Sequence, residues 1–404
     1  MKKVIIDKVL IEKFLTRGVE RIYPSASALR KKLMSGERLR VYQGFDPTGP
    51  YLHVGHAMGI RALRILQELG HEVIFLVGDY TAKVGDPDKD TTRKLLSDSE
   101  IKKNMEGWKK QAAQLIDFSG SNPVRFERNY TWLSKLNLED IIKLLSQMTL
   151  QQVQARDLFR RRLKEGGEVY MHELLYPLLQ GYDSVAMGVD LEIGGTDQTF
   201  NMLVGRDLCR SYLKKEKFVR TNKMMDAPDG ITMSKTKGNG INLGDSAEDM
   251  YGKAMSYPDA AIISGLELLT ETSPDVIKGI EKSIKAGENP MQYKKMMAFE
   301  IVKNIKGKAE AQSAQQHFKK TVQQKETPEE VKSMTLEVRS MNIIDLLVEA
   351  KLASSKGEAR RLIEQGGIKI DGAVIKSIAA EVSLTKKGLL LQRGKRQFVR
   401  VTGK

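Results

Sequence analysis

Two histidines three residues apart, in Leu52-His53-Val54-Gly55-His56, follow directly on Gly44-Phe45-Asp46-Pro47-Thr48-Gly49. The order reads as a strand, a Gly/Pro turn and the start of a helix. Three-residue spacing puts both imidazoles on one face of the first helical turn. Gly55 lets a large group approach the backbone. A helix N-terminus favours anions, and imidazoles there can stabilise charge that builds on a phosphate during its transfer. Further along, 229–239 (DGITMSKTKGN) is a Gly-flanked polar loop with lysines and hydroxyls. It is either a solvated surface loop or a cationic clamp that closes over a polyphosphate. In 176–183 (YPLLQGYD), helical spacing aligns Tyr176, Gln180 and Asp183. Such a polar stripe in an apolar helix either satisfies a buried network or grips a ligand. In 193–198 (IGGTDQ), a Gly-Gly turn enters a helix whose first turn holds Asp197. That Asp either caps the helix or binds a ribose or an ammonium group.

The elements that must position these residues alternate. Strand patterns at 40–44, 72–77 and 190–193 interleave with helical ones at 55–69, 100–116 and 196–212, which predicts an α/β fold with a mostly parallel sheet. Such sheets bind nucleotides outside the carboxyl ends of their strands. The stretch 136–164 is helical without a strand and reads as an insertion into the α/β domain. Residues 246–321 are helical again, and 322–335 are polar, contain Pro328 and read as a linker. A small domain follows from about residue 341. It carries 13 Lys and Arg against 6 Asp and Glu, +7 of the chain's net +15. Lys356, Arg360 and Arg361 fall on one short helix (SSKGEARRLIEQ), followed by a Gly-Gly turn and a strand (IKIDG) that contains Lys369. A concentrated basic face of this kind suits a polyanion such as nucleic acid. Cys209 is the single cysteine, so no internal disulfide or Cys-rich metal site is expected. Residues 1–15 alternate charged and apolar side chains instead of forming a signal-peptide core, and no run approaches the ~18 apolar residues of a membrane span. A cytoplasmic protein without a membrane partner is expected.

Taken together, GFDPT–LHVGH, VGDP, YPLLQGYD, IGGTDQ and MSKT, in this order and spacing, resemble the bacterial-type tyrosyl-tRNA synthetases, of the class I aminoacyl-tRNA synthetases. The resemblance covers nearly the whole chain. It implies a Rossmann-type parallel-sheet catalytic domain (1–228) with a split helical dimerisation insertion (about 117–165) and a mobile signature loop (229–245). It further implies an all-α anticodon-binding domain (246–321), a linker (322–340) and a small α+β S4 RNA-binding domain (341–404). ATP with Mg²⁺, L-tyrosine and tRNA(Tyr) are the implied substrates, and a homodimer the implied assembly. Residue by residue, His53 and His56 would stabilise the transition state at the α-phosphate, Thr48 would bind the γ-phosphate and Lys235 the pyrophosphate. Tyr42 and Asp183 would take the tyrosine phenol. Thr81, Asp86, Tyr176 and Gln180 would surround the ammonium, with Asp46, Gln198 and Asn129 in the same tyrosine-binding set. Gly44, Gly55, Gly195, Asp197, Ser234 and Thr236 would complete the ATP site. Lys356, Arg360, Arg361 and Lys369 would contact tRNA.

This chain departs from the pattern at Thr232, where the signature loop usually begins with Lys, and Lys237 just beyond it is the nearest substitute. Thr236 stands where the loop often has Ser. Residues 199–201 (TFN) match one bacterial subgroup rather than the Trp-Gly-Asn form. Two rival readings fit the same motifs: a tryptophan-activating relative, and a non-catalytic RNA-binding protein on the same scaffold. The paired polar groups Tyr42 and Asp183 argue against an indole pocket, and the retained His53, His56 and Lys235 argue against loss of catalysis.

Overall fold

The computed structural model describes residues 3–86, 96–154, 157–225, 240–323, 332–385, 388–394 and 397–403. A six-stranded sheet is built from Val19–Tyr23 (β1), Arg40–Phe45 (β2), Glu72–Val77 (β3), Arg125–Arg128 (β4), Leu191–Gly195 (β5) and Phe218–Asn222 (β6). Its order is β1-β6-β5-β2-β3-β4. All neighbours from β6 to β4 are parallel, and only β1 is antiparallel. The run EVIFLV buries every residue of β3 except Glu72, as expected for a parallel strand covered on both faces. After β2 the chain adds β3 and β4 to one side, then crosses back to place β5 and β6 on the other. The order therefore reverses between β2 and β5, and a crevice opens at their carboxyl ends.

Three helices flank this crevice. Val54–Glu68 starts at His53. Tyr176–Met187 is bracketed by Pro177 in its first turn and by Gly188 in the left-handed conformation (φ +59°) past its end. Thr199–Leu213 follows a single 3₁₀ turn, Thr196–Gln198. The helix expected over 100–116 is divided into Asp98–Met105 and Trp108–Ala112, because Gly107 between them adopts φ +78°. The stretch 136–164 is helical as expected, in three pieces: Leu138–Leu145, Leu150–Gln154 and Asp157–Lys164.

The chain forms two compact units, Met1–Asp245 with Ser256–Ile305, and Ser246–Met255 with Lys306–Lys404. The helical stretch expected as one domain over 246–321 is thus shared between them. Within the first unit, helix Ile262–Leu269 is held by its C-terminal carbonyls. Arg17 donates to Leu266 (3.1 Å) and Thr270 (2.7 Å), and Arg61 donates to Leu269 (2.7 Å). Carbonyls left over at a helix C-terminus attract cations in this way. Burial lowers the Arg61 guanidinium to about 10.

Within the second unit, the described residues of 332–403 form a five-stranded sheet, a two-stranded sheet (Ser340–Asn342 with Glu381–Ser383) and two helices, Ile343–Glu349 and Lys356–Glu364. Lys332–Leu336 pairs in parallel with Gln397–Gly403. The expected linker over 322–340 therefore gives way to a strand at 332, and residues of this domain begin before 341. Met334 and Leu336 alternate toward a core that includes Ile343, Leu347, Ile363, Leu391 and Val401. Five residues of alternation were too few to stand out from the polar run before them. Among the described residues no helix is long and apolar enough to cross a membrane.

Candidate active site

A cavity of about 290 Å³ lies at the β2/β5 reversal. At one end sit the two histidines. His53 precedes the helix in extended conformation (φ −113°, ψ 170°). His56 Nδ1 accepts the backbone N–H of His53 at 3.0 Å, and the ring centroids are 3.8 Å apart. An Nδ1 that accepts leaves the His56 proton on Nε2, so that edge of the ring is a donor. Within the last residues of the 229–245 segment, Leu243 N–H bonds to the carbonyl of Leu52 (2.7 Å), and Val54 N–H to that of Ile241 (2.9 Å). Residues 241–243 are thereby held beside the histidine pair.

At the other end the lining is a layered polar network. Asp183 is 2% exposed and accepts from Trp132 Nε1 (2.7 Å) and Asn129 Nδ2 (3.1 Å). Burial pushes its carboxyl well above the usual carboxylate range, and these two N–H donors oppose the shift. Asp46 accepts from Thr81 Oγ1 (2.8 Å) and from the Tyr176 hydroxyl (2.9 Å). Gly78 permits this approach, since a Cβ there would lie 2.0 Å from Asp46 Oδ1. Gln180 donates to Glu192 (3.2 Å) and accepts from Asn201 (3.0 Å), and Gln198 donates to Asp86 (2.7 Å). The Tyr42 hydroxyl lies 2.8 Å from Ser184 Oγ. Burial, with the charges of Glu192 and Asp183, holds its phenol well above the ordinary value and hence protonated. One end of the cavity can thus read hydroxyl and ammonium groups, and the other can receive phosphates at a helix N-terminus.

Residues 34–323 match the family described as tRNA synthetases class I (W and Y), and 323–401 match the tyrosine–tRNA ligase SYY-like C-terminal domain. The tyrosine–tRNA ligase of Thermotoga maritima is 40% identical, with 97% of each chain aligned. That of Haemophilus ducreyi is also 40% identical, with 99% of each aligned. The chain belongs to the tyrosine–tRNA ligase family. Among solved structures, a C-terminally truncated mitochondrial tyrosyl-tRNA synthetase of Aspergillus nidulans shares the fold with a TM-score of 0.65 at 22% identity, over 78% of this chain and 94% of that one. The tyrosyl-tRNA synthetase of Archaeoglobus fulgidus, solved with L-tyrosine, gives 0.59 at 22% identity, over 76% and 100%.

Most residues singled out by resemblance to tyrosine–tRNA ligases meet on this one cavity wall. They are Tyr42, Gly44, Asp46, Thr48, His53, Gly55, His56, Thr81, Asp86, Tyr176, Gln180, Asp183, Gly195, Asp197 and Gln198. Asn129 does not line it. It is fully buried behind the wall, donating to Asp183 and to Thr81 Oγ1 (3.0 Å). Tyr42 and Asp183 share the cavity, yet the Tyr42 hydroxyl bonds to Ser184 and not to Asp183. Thr232, Ser234, Lys235, Thr236 and Lys237 lie outside the described residues. In the second unit Arg360 and Arg361 are exposed, Lys356 pairs with Asp345 (2.6 Å), and Lys369 is half-buried on strand Ile368–Ile370. Sequence reasoning missed Trp132, Ser184, Glu192 and Lys217. Ser184 stands one helical turn after Gln180, and Glu192 is a lone charge in an apolar strand, so both carried a signal. Trp132 and Lys217 carried none.

Proposed function

We propose that this chain activates L-tyrosine with ATP to tyrosyl-adenylate, releasing pyrophosphate, and then transfers the tyrosyl group to the 3′ end of tRNA(Tyr). The observation that carries the substrate assignment is the buried Asp183 carboxyl, which shares one cavity with the histidine pair. In this reading the tyrosine carboxylate attacks the α-phosphorus directly, the bond from that phosphorus to the bridging oxygen breaks, and no protein nucleophile takes part. Catalysis rests on positioning and on charge stabilisation. His53 and His56 donate to the α-phosphate oxygens, while Thr48 and Lys235 take the γ-phosphate and the departing pyrophosphate. Asp183 and Tyr42 take the phenol. Thr81, Asp86, Tyr176 and Gln180 surround the ammonium, with Asp46 and Gln198 beside it. Gly44, Gly55, Gly195 and Asp197 leave room for the nucleotide. Among the described residues no cluster of three His, Cys, Asp or Glu could hold a metal ion. In this reading Mg²⁺ arrives on the ATP phosphates, where it neutralises their charge.

The exposed Arg360 and Arg361, with Lys356 and Lys369, form the tRNA-backbone contact. A second copy of the chain covers the stripe Leu138, Ile142 and Leu145, which are 74%, 58% and 44% exposed at helical spacing on Leu138–Leu145. The enzyme works in the cytoplasm. ATP–pyrophosphate exchange with tyrosine, tryptophan and phenylalanine tests the reading. Exchange should depend on tyrosine, and exchange driven equally well by tryptophan, or by none of the three, would overturn it.

A further inference from the structure

An ion pair that the reaction does not use joins Glu192, in the cavity lining, to Lys217, which does not line it. Lys217 Nζ is fully buried and hydrogen-bonds to Glu192, itself 3% exposed at the side chain. The same ammonium donates to Ser184 Oγ at 2.8 Å. It fills a slot where helices Tyr176–Met187 and Thr199–Leu213 cross. A Cβ on Gly205 would lie 2.6 Å from Nζ and 3.2 Å from the Cα of Gly181. Burying two charges costs more solvation than an apolar pair of the same shape, so an ion pair this deep is a poor device for stability. Its geometry serves direction instead. We propose that Lys217 is a positioning residue for amino-acid selection: its ammonium fixes the direction of the hydrogen-bond chain through Ser184, so that the Tyr42 hydroxyl donates into the cavity.

The donor inventory sets the direction. An ammonium only donates and a carboxylate only accepts, so Ser184 Oγ must accept from Lys217. Its single proton then has two destinations, Glu192 at 3.4 Å or Tyr42 at 2.8 Å. The shorter distance is that of a normal O–H···O bond and the longer is not. Ser184 therefore donates to Tyr42, whose own proton is left for the ligand or for Glu192, a carboxylate that Lys217 already engages. This rests on the reading above, in which Tyr42 and Asp183 take the phenol. The phenol O–H donates to Asp183 and its oxygen accepts from Tyr42. Phenylalanine satisfies neither group. Without the ammonium, Ser184 can equally accept from Tyr42, and the Tyr42 proton turns away from the cavity. Glu192, which also holds Gln180, loses its cation at the same time.

The test is pyrophosphate exchange on the full chain with Lys217→Met and Lys217→Gln, read for tyrosine and phenylalanine. Lys217→Met should raise KM for tyrosine roughly 10–100-fold and lower tyrosine/phenylalanine discrimination by a similar factor. It should leave kcat and the KM for ATP within about threefold. Lys217→Gln, which keeps a donor, should recover part of the discrimination. If Lys217→Met does not fold, Gly205→Ala crowds the same ammonium and should show the same KM and selectivity pattern. In a Tyr42→Phe background, Lys217→Gln should have no further effect on discrimination. Unchanged discrimination, or kcat and both KM values worsening together, overturns the proposal. If Tyr42→Phe and Asp183→Asn themselves leave selectivity intact, it is the phenol assignment that fails. If they lower it and the Lys217 variants do not, only the role of Lys217 fails.

Discussion

In the crevice, Asp183, Glu192 and Lys217 are almost wholly withdrawn from solvent, whereas Arg360 and Arg361 of the C-terminal sheet domain stand in water around a core of Ile, Leu, Val and Ala. The two regions use charge differently because their surroundings differ. In a low-dielectric wall a charge acts over one or two contacts of fixed geometry, so it can distinguish a single hydroxyl. On an open surface the same charge is screened beyond roughly 8–10 Å and contributes in small, nearly independent amounts. The first arrangement suits choosing a small molecule. The second suits holding a long polyanion.

The sharpest way to break this contrast is Asp183→Ala. It removes one partner from a buried set and leaves the Trp132 and Asn129 donors without it. We expect a loss of roughly 3–5 kcal/mol in kcat/KM for tyrosine, nearly independent of salt. A loss that salt relieves would put Asp183 in the surface class. Next come His53→Ala and His56→Ala, each expected to slow adenylate formation on the order of 10²–10³-fold with tyrosine affinity unchanged in single-turnover assays. A collapse of tyrosine affinity with the rate preserved would remove them from the phosphate end.

A buried titratable group away from the cavity tests the same dielectric argument through stability. His71 is 1% exposed, and its Nδ1 accepts the N–H of Leu39 at 3.2 Å. Burial, with Arg38 nearby, lowers its pKa to about 4. The folded protein thus resists protonation that the unfolded chain accepts near 6.5. The associated stability is fully present above pH 6.5 and is lost as pH falls from there toward 4, by about 3 kcal/mol in all. His71→Asn, which keeps an acceptor for Leu39, should flatten that part of a urea-unfolding series against pH. An unchanged slope would show that His71 is not the group responsible.

The smallest effect belongs to the exposed face. Replacing Lys356, Arg360 and Arg361 together should weaken tRNA binding by roughly 1–3 kcal/mol, make its salt dependence shallower, and leave pyrophosphate exchange untouched. If exchange falls as well, the two regions are not separable in the way their burial suggests.

Local patterns in the chain were enough to mark strands at 40–44, 72–77 and 190–193, which the structure places at Arg40–Phe45, Glu72–Val77 and Leu191–Gly195, along with the helix after His53, the polar stripe of Tyr176, Gln180 and Asp183, and the basic helix that carries Lys356, Arg360 and Arg361. Each depends on period and turn chemistry within a dozen residues, which neighbours along the chain control. What escaped were partnerships across the fold. Strand β1 finds β6 about two hundred residues later, and the strand at 332–336 owes its existence to pairing with 397–403. Tyr42 meets Ser184 across 142 positions, and Trp132 meets Asp183 across 51. Lys217 reads in sequence as one more surface lysine of KKEK. Only the sheet register between β5 and β6, and the close crossing of two helices at Gly181 and Gly205, bring it under the cavity floor. Side-chain type and spacing are local properties of the chain, but burial, and with it the strength and direction of every polar contact in this site, is a property of what packs on top.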